Sequence, residues 1–122
     1  MYRLRTYTVV PSLPEPLSRL RELAYNLWWS WNGDARELFR RLDADLWEEV
    51  VGNPVQFLTH VAQTRLDHAA SDPAYLAEMN RVLQAFDTYL SREAWFAREH
   101  PDFTDTRVAY FSMEFGIHES LP

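Results

Sequence analysis

The sequence predicts an all-α fold, a bundle of about five helices, followed by an extended, strand-like tail. Apolar residues recur every three or four positions over residues 15–98, and helix-start signals precede several of these stretches. The tail is predicted because residues 108–111 are apolar, β-branched or aromatic and follow a polar run. We therefore expect a helical domain over residues 1–103. Residues 104–122 would then begin a second domain, whose other strands are missing.

The N-terminal part is predicted to be an extended arm that ends at Pro11, followed by a first helix over residues 15–31. Asn32-Gly33 is expected to stop this helix, because glycine readily adopts the left-handed conformation. The predicted apolar stripe consists of seven side chains: Leu17, Leu20, Leu23, Ala24, Leu27, Trp28 and Trp31.

Two short helices are expected next. The first covers residues 35–42, with Asp34 in front of it as part of a capping box. The second follows a cap at Asp43 or Asp45 and ends at Gly52.

Proline-containing start signals introduce the last two helices. Asn53-Pro54 begins a helix that is expected to kink near residues 63–64. Ser71-Asp72-Pro73 begins the longest helix, predicted over residues 73–98. Its apolar seam steps by three and four residues through Leu76, Met79, Leu83, Phe86 and Leu90.

Composition excludes several classes of function. The 122-residue chain has a net charge of −6, which argues against binding to nucleic acid or to anionic membranes. No apolar run approaches the roughly 20 residues of a membrane span, and the N-terminus lacks the apolar core of a signal peptide. A cytoplasmic location is therefore expected, and the absence of cysteine excludes disulfides and thiolate metal sites.

Three tryptophans close together suggest stacking on sugar rings, but a core role is the stronger interpretation. Trp28 and Trp31 lie on the predicted apolar stripe and are expected to be buried. Trp29 lies about 100° away around the helix, so it is expected to be exposed or packed on a neighbouring domain.

The histidines do not predict a metal site. His60 and His68 are eight residues apart, which places them more than one helical turn from each other, and His100 is remote in sequence. No carboxylate joins them at a ligand spacing. The acidic run of Asp43, Asp45, Glu48 and Glu49 is expected to be a solvated face that also favours helix N-termini.

Glu114 and His118, followed by Glu119, are the only strong site candidates. Glu114 lies between Met113 and Phe115 at the end of the predicted strand, where ligands bind in α/β enzymes. It is either a site residue or an ion-pair partner of an arginine such as Arg107.

Two segments carry a resemblance to a known family. AYFSMEFGIHESLP at residues 109–122 and LAYNLWWSWNGDARELFRRLD at residues 23–43 resemble the α-glucan phosphorylases, in particular the bacterial branch with an extra helical N-terminal region. The resemblance implies that the tail enters an α/β catalytic domain. It also implies that Glu114 lies near the substrate cleft, while His118 matches only the bacterial branch.

The resemblance further implies a glycosyltransferase that phosphorolyses α-1,4-glucans to glucose 1-phosphate, with pyridoxal phosphate bound to a lysine. This chain contains no lysine and only three glycines, widely spaced. We therefore expect an N-terminal fragment that is inactive alone and binds no cofactor. Its partners in the parent would be glucan, phosphate, the rest of the catalytic domain and, in a homo-oligomer, a second copy. A non-catalytic helical interaction module, or a carbohydrate-associated one, is the alternative.

Overall fold

The computed structural model describes residues 9–103, 105 and 107–112, and in these residues the all-α prediction is confirmed. They form eight α-helices and two 3-10 turns, with no strand among them. The helices are α1 (Leu20–Ala24), α2 (Trp28–Trp31), α3 (Gly33–Leu42), α4 (Ala44–Glu49), α5 (Pro54–His60), α6 (Gln63–Ala70), α7 (Pro73–Ser91) and α8 (Trp95–Glu99). The 3-10 turns are Glu15–Leu17 and Pro101–Phe103. None of the described helices is both long and apolar enough to cross a lipid bilayer.

Four side-chain caps start the helices of the bundle. Asp43, Asn53 and Asp72 accept backbone N–H groups at the starts of α4, α5 and α7, as the sequence predicts. The predicted cap at Asp34 is wrong, because the side chain of Asn32 accepts the N–H of Ala35 at 2.9 Å and caps α3. Asn32 therefore ends one helix and begins the next.

The first predicted helix is divided into a 3-10 turn, α1 and α2. The division between α1 and α2 occurs at Asn26, whose side-chain oxygen accepts the N–H of Trp28 at 3.0 Å. An asparagine that bonds its own neighbouring backbone competes with the helical hydrogen-bond ladder. The predicted helix stop at Asn32-Gly33 is confirmed, since α2 ends at Trp31 with Asn32 as its C-cap. The left-handed conformation expected at Gly33 is wrong, because Gly33 is the first residue of α3 and Gly52 is the only described glycine with positive φ.

The two remaining predicted helices are also interrupted. The fourth breaks at Val61 and Ala62, two residues before the predicted kink, and resumes as α6. The fifth ends at Ser91, before α8 forms separately. Leu90, the last residue of the predicted seam, is exposed. Phe86 is the last buried residue of α7, so the chain beyond it lacks the core packing from which helices in proteins gain most of their stability.

The core is a continuous apolar cluster with an aromatic centre. The ring of Phe39 is stacked on that of Trp47, with centroids 5.6 Å apart, and Phe57 meets both rings edge-on. Gly52 follows α4 with a φ of +66°, and its N–H donates to the carbonyl of Trp47 at 2.9 Å. α4 itself ends at Glu49, three residues before the predicted end at Gly52, and Gly52 belongs to the turn that follows the helix and lies against the Trp47 ring.

The two ends of the described chain lack regular structure. Residues 1–8 of the predicted arm lie outside the described residues, while Ser12 exchanges two hydrogen bonds of 2.9 Å with the side chain of Gln63 on α6. Residues 107–112 are neither helix nor strand, and Val108, Tyr110 and Phe111 are exposed. The strand predicted at 108–111 does not form here, because the described residues contain no neighbouring strand for its ladder.

Candidate functional surface

The sequence-predicted substrate residues cannot be placed. Glu114 and His118, together with Glu119, lie outside the described residues, so their proximity to a cleft remains a prediction. The candidate surfaces below belong to the helical part of the chain.

The tryptophans of α2 are arranged differently from the prediction. Trp28 is buried as expected, with 5% of its surface exposed, but Trp31 is 60% exposed and Trp29 only 3%. The predictions for Trp29 and Trp31 are therefore wrong. Both assumed one continuous helix, whereas the break at Asn26 starts α2 independently of α1. The Trp29 ring instead packs edge-on against Trp47, with centroids 6.4 Å apart.

Trp31 forms an exposed aromatic pair with Tyr89 of α7, here called the Trp31–Tyr89 pair. The two ring centroids lie 6.4 Å apart, with the planes at 70°, and Tyr89 is 45% exposed. The pair rests on the core, because Tyr89 also lies 6.3 Å from the ring of Trp28, and Trp28 lies 5.3 Å from Phe86. A supported pair of this kind is a preorganised apolar contact surface.

Further exposed aromatic side chains follow α7. Trp95 and Phe96 of α8 both contact the ring of His100, at centroid distances of 6.0 and 4.8 Å. Trp95 is 62% exposed and Phe96 46%. Most of the large exposed hydrophobic side chains of the described residues lie after Thr88: Tyr89, Leu90, Trp95, Phe96, Phe103, Val108, Tyr110 and Phe111. The apolar surface is therefore concentrated at the C-terminal end of the helical part.

A separate polar groove lies where α3, α6 and the start of α7 meet. Its volume is about 450 Å³. It is lined by Arg41, Leu42, Thr64, Arg65, His68, Ala69, Asp72 and Tyr75. Because α6 contributes Thr64, Arg65 and His68 to the same groove, three hydrogen-bonding side chains of one helix face the end of α3.

Tyr75 forms the floor of this groove. Its hydroxyl donates a hydrogen bond of 3.0 Å to the carbonyl of Leu38, and the guanidinium of Arg41 lies 5.6 Å from its ring centroid. Burial raises the pKa of Tyr75 above its ordinary value, and the charge of Arg41 offsets this only in part. The buried hydroxyl is thus held as the donor to Leu38.

Arg65 is held in place from the α3 side of the groove. Its Nε lies 3.0 Å from Oδ2 of Asp43, and its Nη1 donates to the carbonyl of Leu42 at 3.2 Å. Asp43 is thus more than part of a solvated acidic face, since it caps α4 and orients this arginine. Its acidic neighbours Asp45, Glu48 and Glu49 are exposed, as predicted.

The histidines have separate surroundings. His60 lies 2.8 Å from the carbonyl of Gln56 and 2.9 Å from the hydroxyl of Thr59, while His68 lines the groove. His100 contacts Trp95 and Phe96. In the part of the chain that the structure describes, no three residues among histidines and acids are grouped so that they could hold a metal ion.

The sequence matches one family model over residues 13–121. That family is described as "Protein of unknown function (DUF3417)". The chain belongs to this family. The match covers all of the described helices and extends into the C-terminal segment.

Curated relatives of this DUF3417 chain carry phosphorylase names. It is 38% identical over 127 residues to the glycogen phosphorylase of Mycobacterium tuberculosis (strain H37Rv). This alignment covers 100% of this chain and 15% of that protein. It is 38% identical over 111 residues to the maltodextrin phosphorylase of Thermococcus litoralis. This alignment covers 90% of this chain and 13% of that protein. The glycogen phosphorylase of Aquifex aeolicus is 34% identical over 102 residues, and the alignment covers 84% of this chain and 14% of that protein.

The chain therefore corresponds to only a small N-terminal part of these relatives. Its resemblance to the phosphorylase family is confirmed by the family match together with these identities. No solved structure matches the chain.

Proposed function

We propose that this chain is the N-terminal helical region of an α-glucan phosphorylase, a glycosyltransferase that cleaves α-1,4-glucans with phosphate and releases glucose 1-phosphate. The observation that carries the proposal is the 38% identity to a glycogen phosphorylase across 100% of this chain. We assign residues 1–103 to a helical domain and residues 104–122 to the start of the catalytic domain. The parent enzyme would act in the cytoplasm, with glucan and phosphate as its substrates.

The cofactor expected for such an enzyme does not fit the residues of this chain. Pyridoxal phosphate is held as a Schiff base by a lysine, and the sequence contains no lysine. The attachment site would have to be supplied by the rest of the catalytic domain, so the chain alone is inactive in this proposal.

The Trp31–Tyr89 pair gives the helical region a specific role, which is to pack against the catalytic domain of the same polypeptide. Two observations favour this occupant. The chain spans 15% or less of its curated relatives, so most of the proposed enzyme must be placed beside it. The exposed apolar side chains are concentrated after Thr88, close to the position where the catalytic domain would begin.

Burial of the Trp31–Tyr89 pair in an interface is energetically favourable. Burying apolar surface stabilises an interface by about 25 cal/mol for each Å² removed from water. Tryptophan and tyrosine are enriched at the energetic centres of interfaces, because they bring a large contact area with few rotatable bonds. The Trp31–Tyr89 pair already rests on Trp28 and Phe86, so little side-chain freedom remains to be lost on contact.

The direct test is catalysis by the full-length protein. Incubated with maltodextrin and inorganic phosphate, it should form glucose 1-phosphate, and the 122-residue chain should form none. If the full-length protein formed no glucose 1-phosphate, the phosphorylase assignment would be rejected and the non-catalytic interaction module would be the better account. The mass of the full-length protein in solution would test whether it assembles with a second copy of itself, as the resemblance allows.

Glu114 and His118 are proposed to bind substrate in the full-length enzyme. Glu114→Gln should lower the rate of phosphorolysis, because it removes a carboxylate near the cleft. Glu37→Gln is the matched control, since Glu37 is an exposed residue of α3 with one ion pair to Arg40 at 3.4 Å. Equal rates for the two variants would contradict the assignment of Glu114.

A competing role for the Trp31–Tyr89 pair is stacking on glucan. The exposure of both rings gives this alternative a physical basis, which Trp29 no longer provides. It predicts that the 122-residue chain is retarded by immobilised maltodextrin and that Trp31→Ala abolishes the retardation. Packing on the catalytic domain predicts no retardation of either form.

A further inference from the structure

The groove between α3, α6 and α7 contains two arginines, one of which forms no ion pair among the described residues. Three charged residues line it, the cations Arg41 and Arg65 and the anion Asp72, together with the imidazole of His68. Arg65 is paired with Asp43 beside the groove. Arg41 forms no ion pair within 4 Å among the described residues: its guanidinium lies over the ring of Tyr75, and its charge reaches Glu78 of α7 only at longer range, where Glu78 is paired with Arg81. An arginine without an ion pair thus lines the groove of a protein whose net charge is −6.

The acids near the groove are committed to other partners. Asp72 accepts the N–H of Ala74 at 2.9 Å as the cap of α7, and Asp43 accepts the N–H of Leu46 at 3.1 Å as the cap of α4. These bonds hold both carboxylates at helix starts, where they also favour the helix dipole. Neither is free to turn towards Arg41 without losing a cap.

The two arginines are restrained before any ligand arrives. The Arg41 guanidinium lies over the ring of the buried Tyr75, and Arg65 is fixed by Asp43 and by the carbonyl of Leu42. Restrained guanidinium groups lose little entropy on binding, and their fork geometry matches the oxygens of phosphate. Thr64 and His68 add a hydroxyl and an imidazole from the opposite wall.

We propose that this groove, between Arg41 of α3 and Thr64, Arg65 and His68 of α6, binds a phosphoryl group. A volume of about 450 Å³ lies within the usual range for small-molecule sites and is large enough for a phosphorylated sugar as well as for free phosphate. The inference rests on this chain alone and does not depend on the phosphorylase assignment.

The test is a titration of the isotope-labelled 122-residue chain, followed by NMR, with inorganic phosphate in one arm and glucose 6-phosphate in the other. Ionic strength is held constant with sodium chloride. We expect saturable shifts of the backbone amides of Thr64, Arg65 and His68 in at least one arm. Tighter binding of the sugar phosphate would identify a phosphorylated sugar as the ligand, and tighter binding of phosphate would identify the free ion. Absence of saturation in both arms would overturn the proposal.

Variants of α3 separate a specific site from general attraction to positive charge. Arg41→Gln should weaken binding by about tenfold, the effect of losing one charge-assisted hydrogen bond. Arg36→Gln removes the same charge from an exposed position of the same helix that does not line the groove, and it should leave the affinity unchanged.

Equal weakening by Arg36→Gln and Arg41→Gln would overturn the proposal, because it would show only non-specific attraction. Both arginines are exposed, so these variants should keep the fold, which circular dichroism would verify. Arg65→Gln gives an independent second variant. It should also weaken binding, although the loss of its contact with Asp43 can lower stability as well.

Discussion

The ring of Trp31 meets the ring of Tyr89 edge-on, with centroids 6.4 Å apart, and both rings remain open to solvent. This pair joins the short α2 to the long α7 at the surface. Beneath it, Trp28 continues the contact into the core through Phe86. The same helix thus contributes one tryptophan to stability and another to a surface available for contact.

Substitution of the two tryptophans should separate these roles. Trp28→Ala removes a buried aromatic side chain and should lower the free energy of unfolding by about 3–5 kcal/mol. Trp31→Ala removes an exposed ring and should lower it by about 1 kcal/mol, mainly through the lost contact with Tyr89. Urea unfolding of the 122-residue chain measures both values. Similar losses would show that Trp31 belongs to the core after all.

The buried hydroxyl of Tyr75 should contribute to stability through its bond to Leu38. Tyr75→Phe leaves the carbonyl of Leu38 without this donor and should lower the free energy of unfolding by about 1 kcal/mol. Tyr89→Phe is the control, because Tyr89 is exposed, and it should change stability by less than about 0.5 kcal/mol. The prediction fails if both substitutions have the same effect in urea unfolding.

Two glycines should respond to alanine in opposite ways. Gly52 has a φ of +66°, and an added Cβ would meet the Trp47 ring at 3.4 Å, so Gly52→Ala should destabilise the protein by about 1–2 kcal/mol. Gly33 begins α3 with no atom within 4 Å of the Cβ position, so Gly33→Ala should stabilise it by about 0.4–1 kcal/mol. Thermal unfolding would show opposite shifts of the midpoint. Shifts in the same direction would contradict the backbone assignment.

An exposed ion pair should make part of the stability depend on pH. The guanidinium of Arg19 donates two hydrogen bonds to Asp87, at 2.7 and 3.0 Å, and these hold the pKa of the carboxyl below its ordinary value. Because the pKa of Asp87 is lower in the folded state, the ion pair stabilises the protein at pH values above the unfolded pKa of about 3.9. This contribution is lost as the pH falls through the folded pKa.

Asp87→Asn should therefore reduce the sensitivity of the protein to acid. The unfolding midpoint of the native chain should fall more steeply than that of the variant as the pH is lowered below about 4. The midpoints are measured by circular dichroism at low salt, because salt screens exposed pairs. Parallel curves for the two proteins would contradict a role for the Arg19–Asp87 pair.

Local signals in the sequence predict much of the fold. The starts at Asn53 and Asp72 depend on a capping side chain followed by proline, and both are confirmed. Met79, Leu83 and Phe86 are buried as their spacing predicts. These features depend on residues close to each other in the chain, so the sequence is sufficient to identify them.

Interruptions of the helices and the surfaces they create are harder to predict. Asn26 fits a continuous helix by spacing, and only its side-chain bond to Trp28 shows that the helix ends there. That single break decides which tryptophan is exposed. Tyr89 lies next to Leu90 in the sequence but outside the predicted apolar seam, and this position could have predicted that it lies at the edge of the core. The groove around Arg41 depends on three separate helices, so no local pattern predicts it.

The most direct test of the proposed role is to measure how accessible Trp31 and Tyr89 are with and without the catalytic domain. Hydroxyl-radical footprinting, read by mass spectrometry, should show rapid oxidation of both rings in the 122-residue chain and strong protection in the full-length protein. Tyr25 is an internal reference, because it is 73% exposed and its ring contacts neither Trp31 nor Tyr89, so its oxidation should be similar in both proteins. Equal oxidation of Trp31 and Tyr89 in the two proteins would contradict packing of this surface against the catalytic domain.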